Sequence, residues 1–555
     1  MLLVTLFICP FIEVFLNNLN QFSFSLFNVI VPILSGMIIG IGLVVLVCAL
    51  LNNKAYMFLM SLLFSIGLMS YIQGIFLNGT LFLMDGKEME WPASLILGNL
   101  CIWITICFLI IRIIKLTKIS KYTEKIIVYV ALFVTLIQLI GIMSLIPNVF
   151  SDEDATISSA NNYLSEQGIE EIASDNNIIV FVLDTYDVDY FEEVLEQNAK
   201  FYSPLTDFVF YPDTVSQFSR TYPSIPYMLS HEMYFFEEPK KEYVDCAFSS
   251  CDFWTDLKEI NYSIYIYEDD RLCIGETLLS ECNNFIEEGH VLKEDTSFFG
   301  SIKAIVTVGG YRTLPYLVKS SLSYTADSIN KMVISEKIWD NKPYEMNDSK
   351  MLEAINNSGL TISDEESAFR FIHLMGAHAP YILDISGKEV DNRIVDPVEQ
   401  YQGCMQYVYR YIDELKKLGK YENSTIIITA DHGENFVANE LPNNTNPILL
   451  IKYPDCIGEV VCNDYLENGP KVSYSKASLE DILPTIGGIL NVNYSGNGVN
   501  LREVVSNDRI RYHYFAVVED TKQTGTLKYE INGSSRNFDC WENTGEYHKF
   551  GDYYE

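Results

Sequence analysis

Two segments of the sequence place metal-binding side chains directly after an apolar run of β-favouring residues. Asp431 and His432 follow the run Thr-Ile-Ile-Ile-Thr-Ala at 425–430, and Asp184 follows Ile-Ile-Val-Phe-Val-Leu at 178–183. A carboxylate and a neutral imidazole are both good ligands for Zn²⁺ or Mn²⁺. In open α/β sheets, ligands bind at the carboxyl ends of strands. The pattern predicts a metal site there, although an N-cap for the following helix would also account for Asp184.

Two more histidines lie close together in Phe-Ile-His373-Leu-Met-Gly-Ala-His378-Ala-Pro. The chain has seven histidines, and three of them (373, 378 and 432) fall within these two strand-end segments. A buried structural His373 and a surface His378 would be the alternative interpretation. The clustering favours a shared site.

A hydroxyl group is offered by Thr221, in Ser-Arg-Thr221-Tyr-Pro-Ser-Ile-Pro. The two prolines restrict the backbone just after Thr221, and Met-Leu-Ser at 228–230 can then start a helix. A hydroxyl at a helix N-terminus near a metal can attack phosphorus or sulfur. By itself, however, this segment is typical of an ordinary loop.

These side chains must be positioned by a domain in which short apolar strands alternate with amphipathic helices. The candidate strands are 178–183, 262–267, 369–375, 425–430 and 448–453. Strands that are apolar throughout indicate a sheet covered on both faces, and their alternation with helices predicts an α/β domain with a mostly parallel sheet. From about residue 507 the sequence is strand-like and predicts a small antiparallel extension.

The first 147 residues have a different texture. Uncharged runs at 26–51, 55–77, 94–111 and 126–146 each have about the ~20 residues that a transmembrane helix needs. The shorter run 2–16 contains Pro10 and Glu13, and it fits a fifth span, an interfacial helix or an uncleaved signal; we favour a span. The sequence thus predicts a transmembrane bundle of four or five helices over 1–147, a linker helix over 148–176, a catalytic domain over 177–506 and a strand-rich extension over 507–555.

Loop charges predict the orientation of this bundle. The loop 112–125 carries five Lys and Arg residues, whereas the loop 78–96 carries one lysine against three acids. The positive-inside rule therefore places 112–125 in the cytoplasm and everything after Pro147 outside it. We expect a multi-pass protein of the cell membrane with an extracytoplasmic catalytic domain.

Composition excludes one class of partner and leaves the cysteines open. The net charge of the chain is −35, and residues 1–146 hold seven Lys and Arg against five Asp and Glu, so the negative charge belongs to the rest. Such a domain would repel nucleic acid. Eight cysteines follow the apolar region, which suits disulfides such as 246–251, 273–282 and 456–462, with free thiols as the alternative.

Taken together and in this order, the motifs resemble the alkaline phosphatase/sulfatase superfamily. Within it, apolar spans followed by an outward catalytic domain resemble lipoteichoic acid synthases and lipid A phosphoethanolamine transferases. The segments around Thr221, His373 and His378 and the late helix Ser-Leu-Glu-Asp-Ile-Leu-Pro-Thr at 478–485 are similar to family segments. The resemblance covers roughly residues 177–500.

The resemblance implies one divalent metal ion (Zn, Mn or Mg), with Asp184, Thr221, Asp431 and His432 as its ligands. It implies Thr221 as the nucleophile, and His373 and His378 as the residues that hold the phosphate and protonate the leaving group.

Three features depart from those relatives. Asp184 stands where the membrane transferases typically have Glu, and no histidine follows His432 before His513. The second departure favours phosphoglycerol over phosphoethanolamine as the transferred group. The Cys/Ser-x-Pro-x-Arg motif of true sulfatases is absent around Thr221.

The function expected from the sequence is the transfer of phosphoglycerol or phosphoethanolamine from a membrane phospholipid to a surface glycan or glycolipid, through a phosphothreonine. A sulfatase-like hydrolase of phosphodiesters or sulfuric esters is the first alternative. A non-catalytic binding protein on the same scaffold is the second.

Overall fold

A computed structural model of the protein describes residues 1–78, 92–116, 120–151, 163–268, 281–287, 289–390, 395–434, 445–455, 462–492, 494, 496–503, 508–519, 522–551 and 553. The charged residues of the loop 78–96 that predict the orientation therefore lie outside the described residues, and so does Lys118 of the loop 112–125.

The described α-helices are, in chain order, α1 (Cys9–Asn17), α2 (Leu26–Leu50), α3 (Asn53–Ile72), α4 (Ala93–Leu116), α5 (Ser120–Ser151), α6 (Val188–Gln197), α7 (Thr221–Ser230), α8 (Lys240–Ser249), α9 (Asp252–Glu259), α10 (Phe298–Thr313), α11 (Tyr316–Lys319), α12 (Ala326–Val333), α13 (Asp348–Ser358), α14 (Pro397–Lys417) and α15 (Ile482–Leu490).

The described strands are, in chain order, β1 (Tyr163–Leu164), β2 (Glu171–Ile172), β3 (Asn176–Leu183), β4 (Val209–Phe210), β5 (Thr214–Val215), β6 (Tyr262–Tyr267), β7 (Phe285–Ile286), β8 (Val291–Thr296), β9 (Ile334–Trp339), β10 (Thr361–Ile362), β11 (Ser367–Leu374), β12 (Thr425–Thr429), β13 (Leu449–Lys452), β14 (Asp464–Tyr465), β15 (Lys471–Val472), β16 (Ala477–Ser478), β17 (Ile510–Glu519), β18 (Lys522–Asn532) and β19 (Trp541–Lys549).

The chain divides into two compact units, each of which is made of two separate segments of the sequence. The first unit comprises 1–160 together with 290–340, and the second comprises 161–289 together with 341–555. The sequence predicted an uninterrupted catalytic domain over 177–506, whereas residues 290–340 are part of the first unit. The reason is the apolar face of α10, described below, which packs against the N-terminal helices.

The second unit is built on an eight-stranded sheet in the order β14-β15-β4-β13-β12-β3-β11-β6. The four neighbours β12, β3, β11 and β6 are all parallel, and β13 pairs antiparallel with β12. The α/β domain with a mostly parallel central sheet that the sequence predicted is therefore present. Because β12, β3, β11 and β6 run the same way, their carboxyl ends share one edge of the sheet.

Both faces of this sheet are buried, as the continuous apolar runs indicated. In β3, Ile179, Phe181 and Leu183 belong to one core cluster, and the alternate residues Val180 and Val182 belong to the other. Side chains of a strand alternate between the two faces, so each core forms on its own side. The sheet is thereby held rigid at the edge that carries the polar residues.

The C-terminal extension forms a separate antiparallel sheet in the order β17-β18-β19, as expected from the strand-like sequence. The segment expected as a linker helix differs. Helix α5 extends to Ser151, and the short strands β1 and β2 occupy part of 163–172. Strand β2 pairs with β10 and buries Ile172, so these residues are part of the second unit.

The first unit has four helices long and apolar enough to cross a membrane: Leu26–Leu50, Asn53–Leu77, Ala93–Ile114 and Lys125–Leu145. Many apolar side chains of these helices are exposed, including Phe27 and Ile38. Such surfaces are typical of helices that face lipid rather than a protein core. The expected fifth segment forms a shorter apolar helix over Val4–Asn17.

Helix α10 joins this unit through an aromatic cluster. Phe11, Phe15 and Phe24 are buried together with Ile305 and Val308 of α10. A Cβ at Gly309 would lie 2.2 Å from the carbonyl oxygen of Leu6. The close approach shows that α10 packs directly on the N-terminal segment.

The disulfide expectation is corrected for one pair. Cys246 and Cys251 are both free thiols, the first exposed and the second buried. Cys246 lies within α8, and Cys251 is the residue directly before α9. The other two expected pairs include Cys273 and Cys456, which lie outside the described residues.

Candidate active site

The candidate active site is at the carboxyl edge of the four parallel strands. Asp184 follows the last residue of β3, Glu268 follows the last residue of β6, and His373 is the penultimate residue of β11. Asp431 comes two residues after β12. Four neighbouring strands therefore each deliver one ionisable side chain to the same edge.

Three of these side chains converge closely. Asp184, His373 and Asp431 each offer a ligand atom, and these atoms all lie within 4.8 Å of one another. The exposed fractions of the three residues are 6%, 0% and 0%. Two carboxylates and an imidazole held this close in a buried place form a set of donors suited to a divalent cation.

Unsatisfied atoms point to the same conclusion. Asp184 Oδ1, His373 Nε2 and Asp431 Oδ2 are buried and have no hydrogen-bond partner among the described residues. Buried polar atoms are nearly always paired, because leaving one unpaired costs roughly 1–3 kcal/mol. One atom from each of the three residues is thus left available, and a metal ion fits that arrangement.

His432 and Thr221 adjoin the cluster. His432 Nε2 lies 3.3 Å from Asp431 Oδ2 and 3.9 Å from Asp184 Oδ1. The Thr221 hydroxyl oxygen lies 3.4 Å from His432 Nε2, and its hydrogen bond to Asp431 helps to lower the pKa of that carboxyl. The four residues expected to share a metal are therefore neighbours.

The charges of the two aspartates are distributed unequally. Burial, followed by the nearby charge of Asp431, raises the pKa of Asp184 well above its usual value. Burial also opposes ionisation of Asp431, but the adjacent His432 and His373 and a hydrogen bond from the Thr185 amide lower its pKa. Ionisation of both carboxyl groups is unfavourable because their charges repel each other, and a cation between them would stabilise the doubly ionised pair.

Glu268 is a site residue that the motif search missed. It is 1% exposed, and its carboxylate accepts from His373 Nδ1 at 2.9 Å. Burial opposes protonation of His373, but the charges of Glu268 and Asp184 outweigh it and raise the pKa of His373 to about 10. The signal was available, because Glu268 follows the apolar run 262–267 as Asp184 follows 178–183.

The hydrogen bond to Glu268 sets the orientation of the His373 ring. When Nδ1 is engaged with a carboxylate, Nε2 is the nitrogen that faces the other way, which is the arrangement common in metal-ligating histidines. His373 was expected to hold phosphate. That role stays a prediction, and its position beside Asp184 and Asp431 also makes His373 a candidate fifth ligand.

The turn after β11 is fixed against Asp184. Gly376 has φ +58°, and a Cβ there would lie 2.4 Å from the Asp184 amide nitrogen. Asp348 accepts from the Met375 amide at 2.8 Å and from the Gly376 amide at 3.0 Å. Only glycine allows this close approach, and Asp348 holds the turn in place.

Thr221 is the first residue of α7, whose second residue, Tyr222, has non-helical backbone angles. Three residues further on, the Ser224 hydroxyl donates to the Asp431 carbonyl oxygen at 2.5 Å. The start of α7 is therefore tied to the segment that carries Asp431 and His432. Thr221 itself is only half-buried.

His378 is placed differently from His373. It is half-buried, and its Nδ1 contacts the carbonyl oxygen of the adjacent Ala379. It does not belong to the group of ligand atoms within 4.8 Å of one another that the described residues form. Its part in the site remains the prediction made from the sequence.

Comparison with known family models gives one match. Residues 291–491, which include His373, His378, Asp431 and His432, match the family model described as Sulfatase. Among curated proteins, none matches this chain.

Several solved structures resemble the chain at low identity. The lipoteichoic acid synthase LtaP from Listeria monocytogenes is 10% identical, with a TM-score of 0.30, over 65% of this chain and 86% of its own. The soluble domain of lipooligosaccharide phosphoethanolamine transferase A from Neisseria meningitidis is 13% identical, with a TM-score of 0.31, over 60% and 92%. The phosphonate monoester hydrolase SpPMH from Silicibacter pomeroyi is 13% identical, with a TM-score of 0.34, over 66% and 91%.

Proposed function

We propose that this protein, in which residues 291–491 match the Sulfatase family model, is a membrane-anchored, metal-dependent transferase. It moves a phosphoglycerol or phosphoethanolamine group from a membrane phospholipid to a hydroxyl of a surface glycan or glycolipid. The observation that carries the proposal is the Thr221 hydroxyl placed against a buried cluster of two aspartates and two histidines. The four apolar helices support it, since an anchor keeps the enzyme close to a lipid donor.

In this proposal Asp184, Asp431, His432 and Thr221 hold one divalent cation, with His373 facing the same centre. Oxygen and imidazole donors suit Zn, Mn or Mg. The bound cation would supply positive charge that lowers the pKa of the hydroxyl and stabilises the phosphoryl oxygens.

The side chains divide the transfer into two displacements. In the first, Thr221 Oγ1 forms a bond to phosphorus and the bond from phosphorus to the diacylglycerol oxygen breaks. The Thr221 proton passes to the neighbouring Asp431 carboxylate, and His378 protonates the departing diacylglycerol. In the second, the acceptor hydroxyl attacks phosphorus and gives its proton to His378, while Thr221 leaves with the proton from Asp431.

Mass spectrometry of the intact full-length protein in detergent tests this proposal. We expect phosphatidylglycerol, or phosphatidylethanolamine, to leave one covalent head-group adduct when no acceptor is present. The adduct maps to Thr221, is absent from Thr221→Ala and is retained in Thr255→Ala, whose side chain is exposed on α9. Absence of an adduct from either lipid, with stoichiometric metal bound, would contradict the transferase.

Hydrolysis by the same site is the second candidate, because the half-buried Thr221 leaves room for water as the acceptor. A hydrolase would turn over a chromogenic phosphodiester or sulfuric ester without any glycan. Addition of an acceptor glycan separates the two functions. A transferase then transfers the head group to the glycan, whereas a hydrolase releases the free head group at the same rate with and without the glycan. A protein that never holds stoichiometric metal would instead be a binding protein.

A further inference from the structure

The first unit contains a cavity of about 400 Å³ among its helices. Its walls come from the N-terminal segment, the end of α3, the second half of α5 and the last residues of α10, and they include Glu13, Ser70, Gln138 and Arg312. Lipid-facing helices rarely surround polar residues without a function, and ionisable groups there mark binding sites. None of these residues has a part in the proposed chemistry of Thr221.

A charged pair lies at this cavity. Arg312 Nη2 is 3.5 Å from Glu13 Oε1, and the two side chains are 22% and 46% exposed. A guanidinium presents a planar set of donors that matches the oxygens of a phosphodiester. The neighbouring carboxylate accepts hydrogen bonds, which suits a hydroxyl or ammonium substituent on the same head group.

Two further polar features face the cavity. Ser70 is completely buried, and its hydroxyl has no hydrogen-bond partner among the described residues. The Thr5 hydroxyl donates to Gln138 Oε1 at 2.8 Å. An unpaired hydroxyl in an apolar bundle is costly, so its presence on the wall indicates that a polar ligand satisfies it.

The arginine is held in place by its backbone. The Arg312 carbonyl oxygen accepts from Asn78 Nδ2 at 2.8 Å, and the adjacent Thr313 hydroxyl donates to the Gly309 carbonyl at 2.7 Å. Lys319, which is 2% exposed, donates to Asn78 Oδ1 at 2.6 Å. A buried network thus fixes the end of α10 at the cavity.

Part of the wall is apolar and exposed on the surface of the spans. Ile75 and Ile137 line the cavity and are 57% and 39% exposed. Within a bilayer, such exposed faces contact hydrocarbon. An occupant with a charged head near Arg312 and apolar chains leaving between Ile75 and Ile137 fits these walls.

We infer that this cavity binds one glycerophospholipid, with its phosphodiester at Arg312, the hydroxyl or ammonium substituent of its head group at Glu13, and its acyl chains between Ile75 and Ile137. The cavity volume is within the range of ligand pockets, about 300–1,000 Å³. The inference goes beyond the proposed transferase and does not depend on it, because lipid binding here requires no reaction at Thr221.

Photolabelling of the full-length protein in micelles tests the inference. The probe is phosphatidylglycerol with a diazirine near the head of one acyl chain, and the comparison lipid is diacylglycerol with the same chain. We expect phosphatidylglycerol to label peptides of α5 and of the N-terminal segment, and diacylglycerol to label them at least tenfold less. Equal labelling by the two lipids would overturn the inference.

Two variants address the site directly. Arg312→Gln is expected to lower phosphatidylglycerol labelling about tenfold, as loss of a charge-assisted contact does. Gly141→Leu fills the cavity, because a Cβ at Gly141 meets no atom within 4 Å and the glycine lines the wall. The matched controls are Arg112→Gln and Gly98→Leu, which lie outside the cavity; Gly98 also has open space at its Cβ.

Two outcomes would contradict phospholipid binding in this cavity. One is Gly141→Leu labelling like the unaltered protein at unchanged thermal stability. The other is complete displacement of the label by soluble glycerol 3-phosphate, which would assign the site to a free phosphoester. Thr221→Ala should label normally, so failure of lipid binding and failure of the transferase are distinguishable.

Discussion

Glu268 bonds to Nδ1 of His373 and leaves Nε2 of that ring facing the two aspartates. A carboxylate behind a ligating histidine fixes the ring and raises its basicity. A residue that touches no substrate can therefore decide how well the site holds its metal. The same reasoning makes Glu268 a positioning residue rather than a catalytic one.

We predict that Glu268→Gln lowers metal affinity 10- to 100-fold, because the amide cannot supply the negative charge that supports His373. Titration of the metal-free protein against a competing chelator measures this. Glu353→Gln, on the exposed face of α13, is the matched control and should bind metal as the unaltered protein does. Equal affinity in both variants would remove Glu268 from the site.

His231 predicts a pH dependence of stability. It ends α7 with φ +63°, and the Tyr494 hydroxyl hydrogen-bonds to its Nδ1 at 2.7 Å. Burial lowers the pKa of His231 to about 4. In the unfolded chain this imidazole binds a proton near pH 6.5, whereas in the folded protein it binds one only near pH 4. The free energy of unfolding therefore falls as the pH drops from about 6.5 to about 4, and His231 causes no further loss below that pH.

The contribution of His231 to this loss is about 3 kcal/mol, from a pKa difference of roughly 2.5 between the two states. His231→Asn tolerates the left-handed backbone and cannot be protonated. Thermal unfolding midpoints of the full chain between pH 4 and 7 should fall less steeply for the variant. Parallel curves for the two proteins would show that His231 does not titrate as described.

At the scale of elements, the turn after β11 is where two strand ends meet. Gly376 lies against the backbone of Asp184, and Ala377 donates to the Asp184 carbonyl at 2.9 Å. The strand pairing of β3 with β11 continues into this contact. A change in the turn would move Asp184 relative to His373.

We predict that Gly376→Ala both destabilises the protein and weakens metal binding, because the added Cβ would lie 2.4 Å from the Asp184 amide nitrogen. Gly419→Ala is the matched control, since Gly419 also has a positive φ, +66°, but open space at its Cβ. The control should cost about 1–3 kcal/mol for backbone strain alone. Thermal unfolding and metal stoichiometry should be measured on both; similar losses would show that the contact with Asp184 is unimportant.

For the whole molecule, the expected orientation can be tested through Cys246. This thiol is free and exposed on α8, in the second unit. If residues after 147 are extracytoplasmic, a membrane-impermeant maleimide labels Cys246 in intact cells. Cys246→Ser should lose this label, and Lys121→Cys, in the loop expected inside, should gain label only after the cells are opened.

Labelling of Lys121→Cys in intact cells, with Cys246 protected, would reverse the predicted topology. That result would also contradict a surface glycan as the acceptor, because the site residues would then face the cytoplasm. The metal site itself would be unaffected.

The sequence by itself determined the strands, the spans and most of the site. Runs such as 178–183 and 425–430 are rich in β-favouring apolar residues, which predicts strands covered on both faces, and the residues that follow them, Asp184 and Asp431, are then expected at one edge of a parallel sheet. Likewise, uncharged runs of about 20 residues predict transmembrane helices.

Only the tertiary structure decided what surrounds those residues. Glu268 joins His373 because β6 is the neighbour of β11, and strand order is not encoded in any local pattern. The cavity at Arg312 exists because residues 290–340 pack with the N-terminal helices, although the chain places them between strands of the α/β domain. Local periodicity specifies elements, but contacts between residues far apart in the chain depend on which apolar faces are buried against each other.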